Sequence, residues 1–359
     1  MRLSASFIKI EIIISFIVFF LGGYTNSFAD ATLKLSDTSS VSIGAWTRLS
    51  FTHIDNPPAG AYDNKFNVDS VRLKLSAKIN KSLGLLFATE RDPAGGISIL
   101  DSAIQLNVSP AVNLWAGRFV TPVDRANLTG SYFLNTWAYP FVSAYPTLLG
   151  GRNDGVVVWG QPTSKLTYYL GAYQGLDAAG GPNATGRNLM YSGRVAYDFW
   201  GVEPGYFTQS TYYGSRDVFA IGLAGAEQKD AVGTIGAPGT FTGWNADFLI
   251  EKNLGAITPS AEGAYYKYSY DHKLPSAEGS AYFLYLGFLI NHEIGIGKLQ
   301  PHVRYQRFNA DTGLDHKRLD LGVNYIIDGH KNRISAVLSR DDTGVVRSNL
   351  FTLGYQIIF

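Results

Sequence analysis

The sequence predicts an all-β protein: a transmembrane antiparallel β-barrel of 16 strands, with a long loop after the fifth strand that folds inward. Three observations support this fold class. Residues of alternating polarity recur along most of the chain, whereas helical periodicity of useful length is absent. The connections between these segments are long and short in turn, as in bacterial barrels. The segment TLGYQIIF (352–359) places apolar residues at nearly every second position, which gives a strand one apolar face.

The first 29 residues have the features of a secretory signal. A basic start is followed by an apolar core (12–21) and a small-x-small cleavage motif (27–29). The alternative is an N-terminal membrane anchor, but the apolar core is shorter than the roughly 20 residues that a spanning helix needs. We therefore expect residues 1–29 to be a cleaved signal peptide and residues 30–359 to be the barrel domain.

The composition excludes several classes of protein. The chain carries 30 basic and 29 acidic residues, and removing the leader leaves equal numbers of each. A bulk nucleic-acid binder needs a basic excess, so we expect no nucleic-acid partner. There are no cysteines, so an exported chain of this size must be held by its own fold. No later apolar stretch reaches 18 residues, which excludes helical membrane spans.

Alternation and turn residues together define the predicted strands. An additional segment, 205–213, would make 17 strands and would place the polar loop 228–240 at the periplasmic end. An even strand count is the rule for bacterial barrels, so we assign 200–216 to a connection. The 16 predicted strands are 41–53, 66–79, 83–90, 98–107, 112–120, 152–160, 165–175, 188–199, 217–227, 241–251, 256–269, 281–291, 298–308, 318–327, 332–340 and 349–359.

The lengths of the connections give an independent test of the barrel. Short turns fall at 80–82, 108–111 and 161–164, and between them lie the longer loops 54–65, 91–97, 121–151 and 176–187. This rhythm matches short periplasmic turns and longer outer loops. A soluble β-sandwich or propeller would also alternate in polarity, and it is the alternative fold.

Aromatic residues lie near the ends of the apolar faces. Tyr197 and Phe199 follow one another on the same face of a strand, as do Tyr355 and Phe359. Such girdles mark the two water interfaces of an outer-membrane barrel. They favour a barrel in contact with outer-membrane lipid over a soluble sandwich.

The C-terminal strand carries a second pattern. Thr352, Gly354, Ile357 and Phe359 have the spacing polar-x-Gly-x-x-apolar-x-apolar, which resembles the C-terminal signal read by the barrel assembly machinery. In a closed barrel this strand pairs with the first, because an open edge in lipid leaves backbone groups unsatisfied.

Residues 121–151 form the largest gap between predicted strands. A structureless stretch of this length in a compact domain is uncommon unless the loop is functional. Its many aromatic residues suit packing against a barrel wall, so we expect it to fold inward. An outer-surface loop and a contact between subunits are the alternatives.

Six segments together resemble the phosphate-selective porin O and P family. The resemblance implies a 16-stranded barrel, usually a trimer, that passes small anions by diffusion, and general porins carry their inward loop after the fifth strand. The segments are ILDSAIQLN (99–107), GRFVTPVDRANLTGSYFLNTWAYP (117–140), GRNDGVVVWGQ (151–161), GYFTQSTYYGSRDVFAIG (205–222), LQPHVRYQRF (299–308) and LGVNYIIDGHKNRIS (321–335).

Basic residues inside the strands are the candidate pore-lining and anion-contacting residues. Arg or Lys at the lipid midplane costs about 2–4 kcal/mol, so these side chains should face the water-filled interior. For the ambiguous segment VNLWAGRFV we place Trp115 and Phe119 on lipid and Arg118 inside. Arg125 and Arg152 flank the long loop and are candidates for the constriction. The remaining candidates are Arg48, Arg72, Lys74, Lys78, Arg194 and Arg304.

These basic residues admit two interpretations. Rings of Arg and Lys line anion pores, but carboxylates on or near the same face could instead pair with them and leave selectivity weak. The carboxylates concerned are Glu90, Asp101, Asp198, Asp247, Glu251 and Asp320.

The expected function is an outer-membrane channel for small solutes. Phosphate-selective members should carry a dense basic series on the inward loop, and this loop has only Arg125 within it and Arg152 at its exit. We therefore expect a mild anion preference in a homotrimeric porin, with phosphate, amides or sugars as alternative solutes. We expect no catalytic residues, no metal site and no cofactor, because no catalytic or metal-binding motif is present. The alternative function is a secreted or surface β-sheet binding protein with no channel.

Overall fold

Antiparallel strands make up most of the chain. The computed structural model describes residues 30–55, 57, 63–91, 95–176, 182 and 188–359. The predicted signal peptide (1–29) and parts of the predicted loops 54–65, 91–97 and 176–187 lie outside the described residues. The strands are β1 (Ala31–Lys34), β2 (Ser40–Asp55), β3 (Asn64–Lys78), β4 (Leu83–Arg91), β5 (Ile97–Ser109), β6 (Val112–Val120), β7 (Arg152–Thr163), β8 (Leu166–Tyr173), β9 (Met190–Asp198), β10 (Val218–Thr234), β11 (Ala237–Glu251), β12 (Ile257–Ser269), β13 (Gly279–Ile290), β14 (Lys298–Ala310), β15 (Asp315–Asp328), β16 (Asn332–Asp342) and β17 (Arg347–Ile358).

Strands β2–β17 form a closed barrel of 16 strands. Each pairs antiparallel with the next, and β17 closes the barrel by pairing with β2, with Ile358 opposite Trp46 and Asn349 opposite Asp55. The predicted fold class and strand count are confirmed. The end at which β2 begins and β17 ends is called the terminal rim below, and the other end the outer rim.

The structure departs from the predicted strands in two places. The short strand β1 was not predicted; it pairs with the start of β2, and all four of its residues are exposed. The prediction of a polar loop at 228–240 is wrong. Strands β10 and β11 continue through this segment to a tight turn at 235–236. Their pairing shifts register between Gln228 and Val232. The turn of this hairpin lies at the outer rim, where a pair of strands no longer needs one apolar face.

The predicted connection around 200–216 contains no strand, as expected. Residues 199–217, here called the inserted connection, leave β9 at the terminal rim and return to β10. Several of their side chains are buried inside the barrel, including Glu203, Tyr206, Ser210 and Thr211.

The long segment after β6, the fifth barrel strand, folds into the barrel as predicted. This inner loop (121–151) contains one short helix, α1 (Arg125–Thr129), and a 3-10 turn (Leu149–Gly151). The alternative of an outer-surface loop is excluded, because most of its residues are buried.

The inner loop is fixed to walls on both sides of the barrel. The Tyr132 hydroxyl donates to Ser70 on β3 at 2.9 Å. On the far side, the Tyr145 hydroxyl donates to Asn245 on β11 at 2.7 Å. The loop therefore spans the interior.

Gly354 on β17 lies directly against the inner loop. A Cβ added there would lie 2.5 Å from the indole of Trp137, closer than any relaxed contact. The glycine in the C-terminal pattern therefore also makes room for the loop.

We predict that Gly354→Ala destabilises the folded barrel by about 1–3 kcal/mol, because the buried Trp137 ring must shift. The measurement is the temperature at which the folded band on a denaturing gel converts to the unfolded position. Gly193→Ala is the control, since its added Cβ would meet Leu170 at an ordinary 3.4 Å. Equal conversion temperatures for the two variants would contradict the packing argument.

Candidate functional site

The barrel interior holds most of the predicted basic residues, and most of these are neutralised. Five predicted arginines are buried in ion pairs with carboxylates, and four of these carboxylates are among those that the sequence placed on or near the inner face. Pairing of this kind satisfies a charge that would be costly to bury alone. The pairs are Arg72–Glu90 at 2.7 Å, Arg125–Glu203, Arg152–Asp101 at 3.0 Å, Arg194–Asp247 at 2.6 Å and Arg304–Asp320 at 2.9 Å.

The two predicted lysines lie nearer the terminal rim. The Lys74 ammonium is 3.5 Å from Asp30 and 4.9 Å from the centre of the Trp46 ring, and it is partly exposed. Lys78 is exposed at the end of β3. Neither is held in a buried ion pair.

The helix α1 begins beside a wall ion pair. Asp124 caps it by accepting a hydrogen bond from the Asn127 backbone N–H at 2.8 Å. The Arg125 backbone N–H donates to Asp247 at 3.1 Å, so the Arg194–Asp247 pair also fixes the start of the helix.

The Asp124 carboxyl is buried in the interior. Burial raises its pKa above the ordinary value, against hydrogen bonds from Ser143, Asn127 and Tyr266 that lower it. The Tyr266 hydroxyl donates to it at 2.8 Å from β12. Asp124 is therefore a structural anchor of the loop and offers no exposed charge to a solute.

Arg125 joins the inner loop to the inserted connection. Its guanidinium donates to Glu203 through Nη1 at 2.9 Å and through Nη2. Burial alone would lower the pKa of Arg125, but the Glu203 carboxylate raises it above the ordinary value, so the side chain stays charged. Tyr212 of the connection also donates to Glu203, at 2.5 Å.

The inserted connection crosses the interior and is tied to several strands. The Ser210 hydroxyl donates to Glu262 on β12 at 3.2 Å, and the Thr211 hydroxyl donates to Glu251 on β11 at 2.6 Å. The His330 ring lies 2.8 Å from the Thr211 carbonyl. The sequence did not predict this insertion; the aromatic-rich run GYFTQSTYYGS was the available signal.

Aromatic rings fill one side of the interior. Tyr206 of the connection stacks on Trp115 with ring centres 4.2 Å apart, and its hydroxyl donates to the Val120 carbonyl at 2.7 Å. Trp159 packs edge-on against both rings.

The orientation expected for β6 is reversed. Trp115 and Phe119 lie inside, where both pack against Tyr206, and Arg118 lies on the outer face. There its guanidinium is 3.3 Å from Asp154 on β7, whose side chain is 57% exposed. Both faces of VNLWAGRFV are apolar, so the polarity of the segment could not predict its orientation. The orientation depends on the ring of Tyr206, which is distant in sequence.

Two buried arginines have no carboxylate partner among the described residues. Arg48 donates to the Trp137 carbonyl and lies 4.0 Å from the centre of the Trp137 ring. Arg333 donates to the Leu134 carbonyl at 2.5 Å and to the Tyr213 hydroxyl at 3.0 Å. Arg333 was missed in the sequence analysis, although it shares the inner face of β16 with small polar residues.

The interior contains a cavity of about 410 Å³. It lies between the inner loop, the inserted connection and the wall formed by β2–β6, near the terminal rim. Its lining includes Trp46, Lys74, Leu86, Phe133, Phe207 and Ile358.

The described part of the chain offers no sign of a metal centre or of a membrane-spanning helix. Within it, no group of three or more His, Asp or Glu side chains is placed to hold a metal ion. No helix in the same residues is long and apolar enough to cross a membrane.

Solved structures with the same fold are outer-membrane proteins. The anion-selective porin from Comamonas acidovorans matches with a TM-score of 0.61 at 14% identity, over 89% of this chain and 100% of that chain. The trimer form of OmpT of Vibrio cholerae, an outer-membrane protein, matches with a TM-score of 0.58 at 15% identity, over 90% and 100%. A mutant of Rh. blastica porin matches with a TM-score of 0.54 at 14% identity, over 89% and 100%.

These likenesses show the fold, which is that of the outer-membrane porin barrels. No protein-family model matches the chain, and no curated protein matches it either. The resemblance to the phosphate-selective family therefore stays a prediction.

We predict that Glu203→Gln releases the inner loop from the inserted connection. The buried Arg125 charge would lose its partner, and breaking a buried pair costs about 3–5 kcal/mol. The measurement is the rate at which trypsin cleaves the folded barrel after Arg125, which should rise strongly.

Asp311→Asn is the control for this variant. Asp311 pairs with Lys267 at 3.3 Å and both side chains are largely exposed, so the pair contributes little. Equal cleavage rates in the two variants would show that the Arg125–Glu203 pair does not hold the loop.

Proposed function

We propose that the protein is an outer-membrane porin that passes small solutes by passive diffusion, with a mild preference for anions. The observation that carries this proposal is the closed barrel of 16 strands with an inner loop that follows the fifth strand and narrows the interior. The protein lies in the outer membrane of a Gram-negative bacterium, with its terminal rim toward the periplasm, and it is not an enzyme.

The anion preference rests on two arginines beside the inner loop that are not paired with carboxylates. Five interior arginines are matched by carboxylates and give no net charge. Arg48 and Arg333 are buried without such partners, and a charge in a low-dielectric interior acts over a longer range than one in water. These two cations lie beside the inner loop and would give a mild local preference for anions, although the buried carboxylates Asp124, Glu251 and Glu262 also have no ion pair among the described residues. Two cations do not make the dense basic ladder that phosphate selection needs.

Export and insertion follow the expected route. The signal peptide (1–29) directs the chain across the inner membrane, and the C-terminal pattern Thr352, Gly354, Ile357 and Phe359 is read by the barrel assembly machinery. The apolar outer face then contacts outer-membrane lipid.

The first experiment is reconstitution of the mature protein in a planar bilayer under a KCl gradient, with added phosphate. A reversal potential of anion sign is the expected result. Block of the current by low concentrations of phosphate would indicate that the resemblance to the phosphate-selective family includes its function. Well-folded protein that forms no channels would overturn the proposal.

A second candidate is a barrel at the cell surface that binds a ligand and does not conduct. The dense filling of the interior by the inner loop, the inserted connection and the aromatic side favours it. The absence of conductance in the bilayer would select this candidate.

We predict that Arg48→Gln lowers the ratio of anion to cation permeability, because it removes an uncompensated positive charge beside the inner loop. Reversal potentials under the same KCl gradient measure the change. Arg340→Gln is the matched control, since Arg340 is exposed on the outer face of β16. A reversal potential that is equal in wild type and Arg48→Gln would show that this charge does not govern selectivity.

We further propose that the protein is a homotrimer whose subunits meet on the outer face of β5–β7. The Arg118–Asp154 pair lies on that face, opposite Ser102 of β5. On β5, the exposed residues Ile99 and Ile104 lie on either side of Ser102. The Arg118–Asp154 pair therefore falls within the apolar band. Charged side chains that face lipid at this position would destabilise the barrel, and a second copy of the chain would shield them from lipid.

We predict that Asp154→Arg separates the trimer into monomers, because it places two positive charges side by side within the contact. Light scattering on the detergent-solubilised protein measures the mass. Asp311→Arg makes the same change of charge at the outer end of β14 and should leave the trimer intact. An unchanged mass for Asp154→Arg would place the contact elsewhere.

A further inference from the structure

The cavity near the terminal rim, here called the chamber, has walls from three separate parts of the chain. Phe133 comes from the inner loop, Phe207 from the inserted connection, and Trp46 from the barrel wall. Its volume of about 410 Å³ is in the range of sites for small molecules.

The chamber wall is mainly apolar and aromatic. The rings of Trp46 and Phe133 meet edge-on with centres 5.9 Å apart. Phe207 is 42% exposed, although its neighbour Tyr206 is buried inside the barrel. An exposed ring in an aromatic recess favours a flat apolar group, because stacking adds to the free energy of burying its surface.

The charges around the chamber leave two ammonium groups available. Arg72 and Arg152 are held by Glu90 and Asp101 in buried pairs. Lys74 is 3.5 Å from Asp30, and Lys331 is 4.0 Å from Asp328. These longer pairs are partly exposed, so they contribute little and leave both ammonium groups free to turn toward a solute.

We propose that the chamber binds small ring-bearing carboxylates, with the ring against Trp46, Phe133 and Phe207 and the carboxylate near Lys74 and Lys331. The proposal rests on the proposed channel and names the class of solute that it favours. Phe207 is then a residue that determines specificity, supplied by the inserted connection.

The test compares benzoate with acetate, which carries the same charge and no ring. Binding to the folded trimer in detergent is measured by titration calorimetry, and block of the chloride current is measured in a planar bilayer. We expect benzoate to bind and block at concentrations about three- to tenfold lower than acetate, as ring contacts of this kind provide.

Two variants separate the contributions of ring and charge. Phe207→Leu keeps the apolar volume and should weaken benzoate about three- to tenfold without affecting acetate. Lys74→Gln should weaken both anions. The matched controls are Trp244→Leu and Lys267→Gln, which alter an exposed ring and an exposed ammonium group on the outer face of β11 and β12.

The two readouts distinguish failure of this inference from failure of the proposed function. Benzoate binding by a protein that forms no channels would retain the chamber and overturn the porin. Channels that treat benzoate and acetate alike, or a Phe207→Leu variant with unchanged benzoate affinity, would overturn the chamber and retain the porin.

Discussion

Closure of the backbone hydrogen-bond ladder between β17 and β2 is the constraint on which the rest of the structure depends. Hydrocarbon offers no partner to a free N–H or C=O group, so a sheet in a membrane is stable only without edges. The Phe359 N–H and the Ala45 carbonyl are 2.9 Å apart, and the Ala45 N–H donates back to the Phe359 carbonyl at 2.8 Å. Sixteen strands closed in this way enclose more space than their own side chains can fill.

That enclosed space explains why two connections fold inward. The inner loop enters from the outer rim and the inserted connection from the terminal rim, and Arg125 and Glu203 join them in the middle. Each inserted segment brings backbone and charged groups into a region of low dielectric, where an unpaired group is costly. The interior is therefore rich in ion pairs because it is filled by polar chain, and the number of its arginines is a poor measure of its net charge.

The sequence predicted all 16 barrel strands and the inward loop, because alternation and turn lengths are local properties of the chain. The sequence-based prediction failed where a feature depends on contacts between residues that are far apart in the chain. The orientation of Arg118 depends on Tyr206, which packs against Trp115 and Phe119 from the inserted connection. The insertion itself depends on contacts such as Arg125–Glu203, between residues 78 positions apart. The periodicity of the sequence contains no information about contacts between such distant residues.

The unpaired arginines connect the position of the inner loop to the charge of the interior. Arg48 and Arg333 donate to the carbonyls of Trp137 and Leu134, so these two cations are held by loop backbone and not by carboxylates. Peptide carbonyls stabilise a guanidinium without cancelling its charge, which a carboxylate would do. The loop is thus fixed by groups that remain positive. In this fold, the contacts that narrow the interior also place two uncancelled cations, Arg48 and Arg333, beside the inner loop.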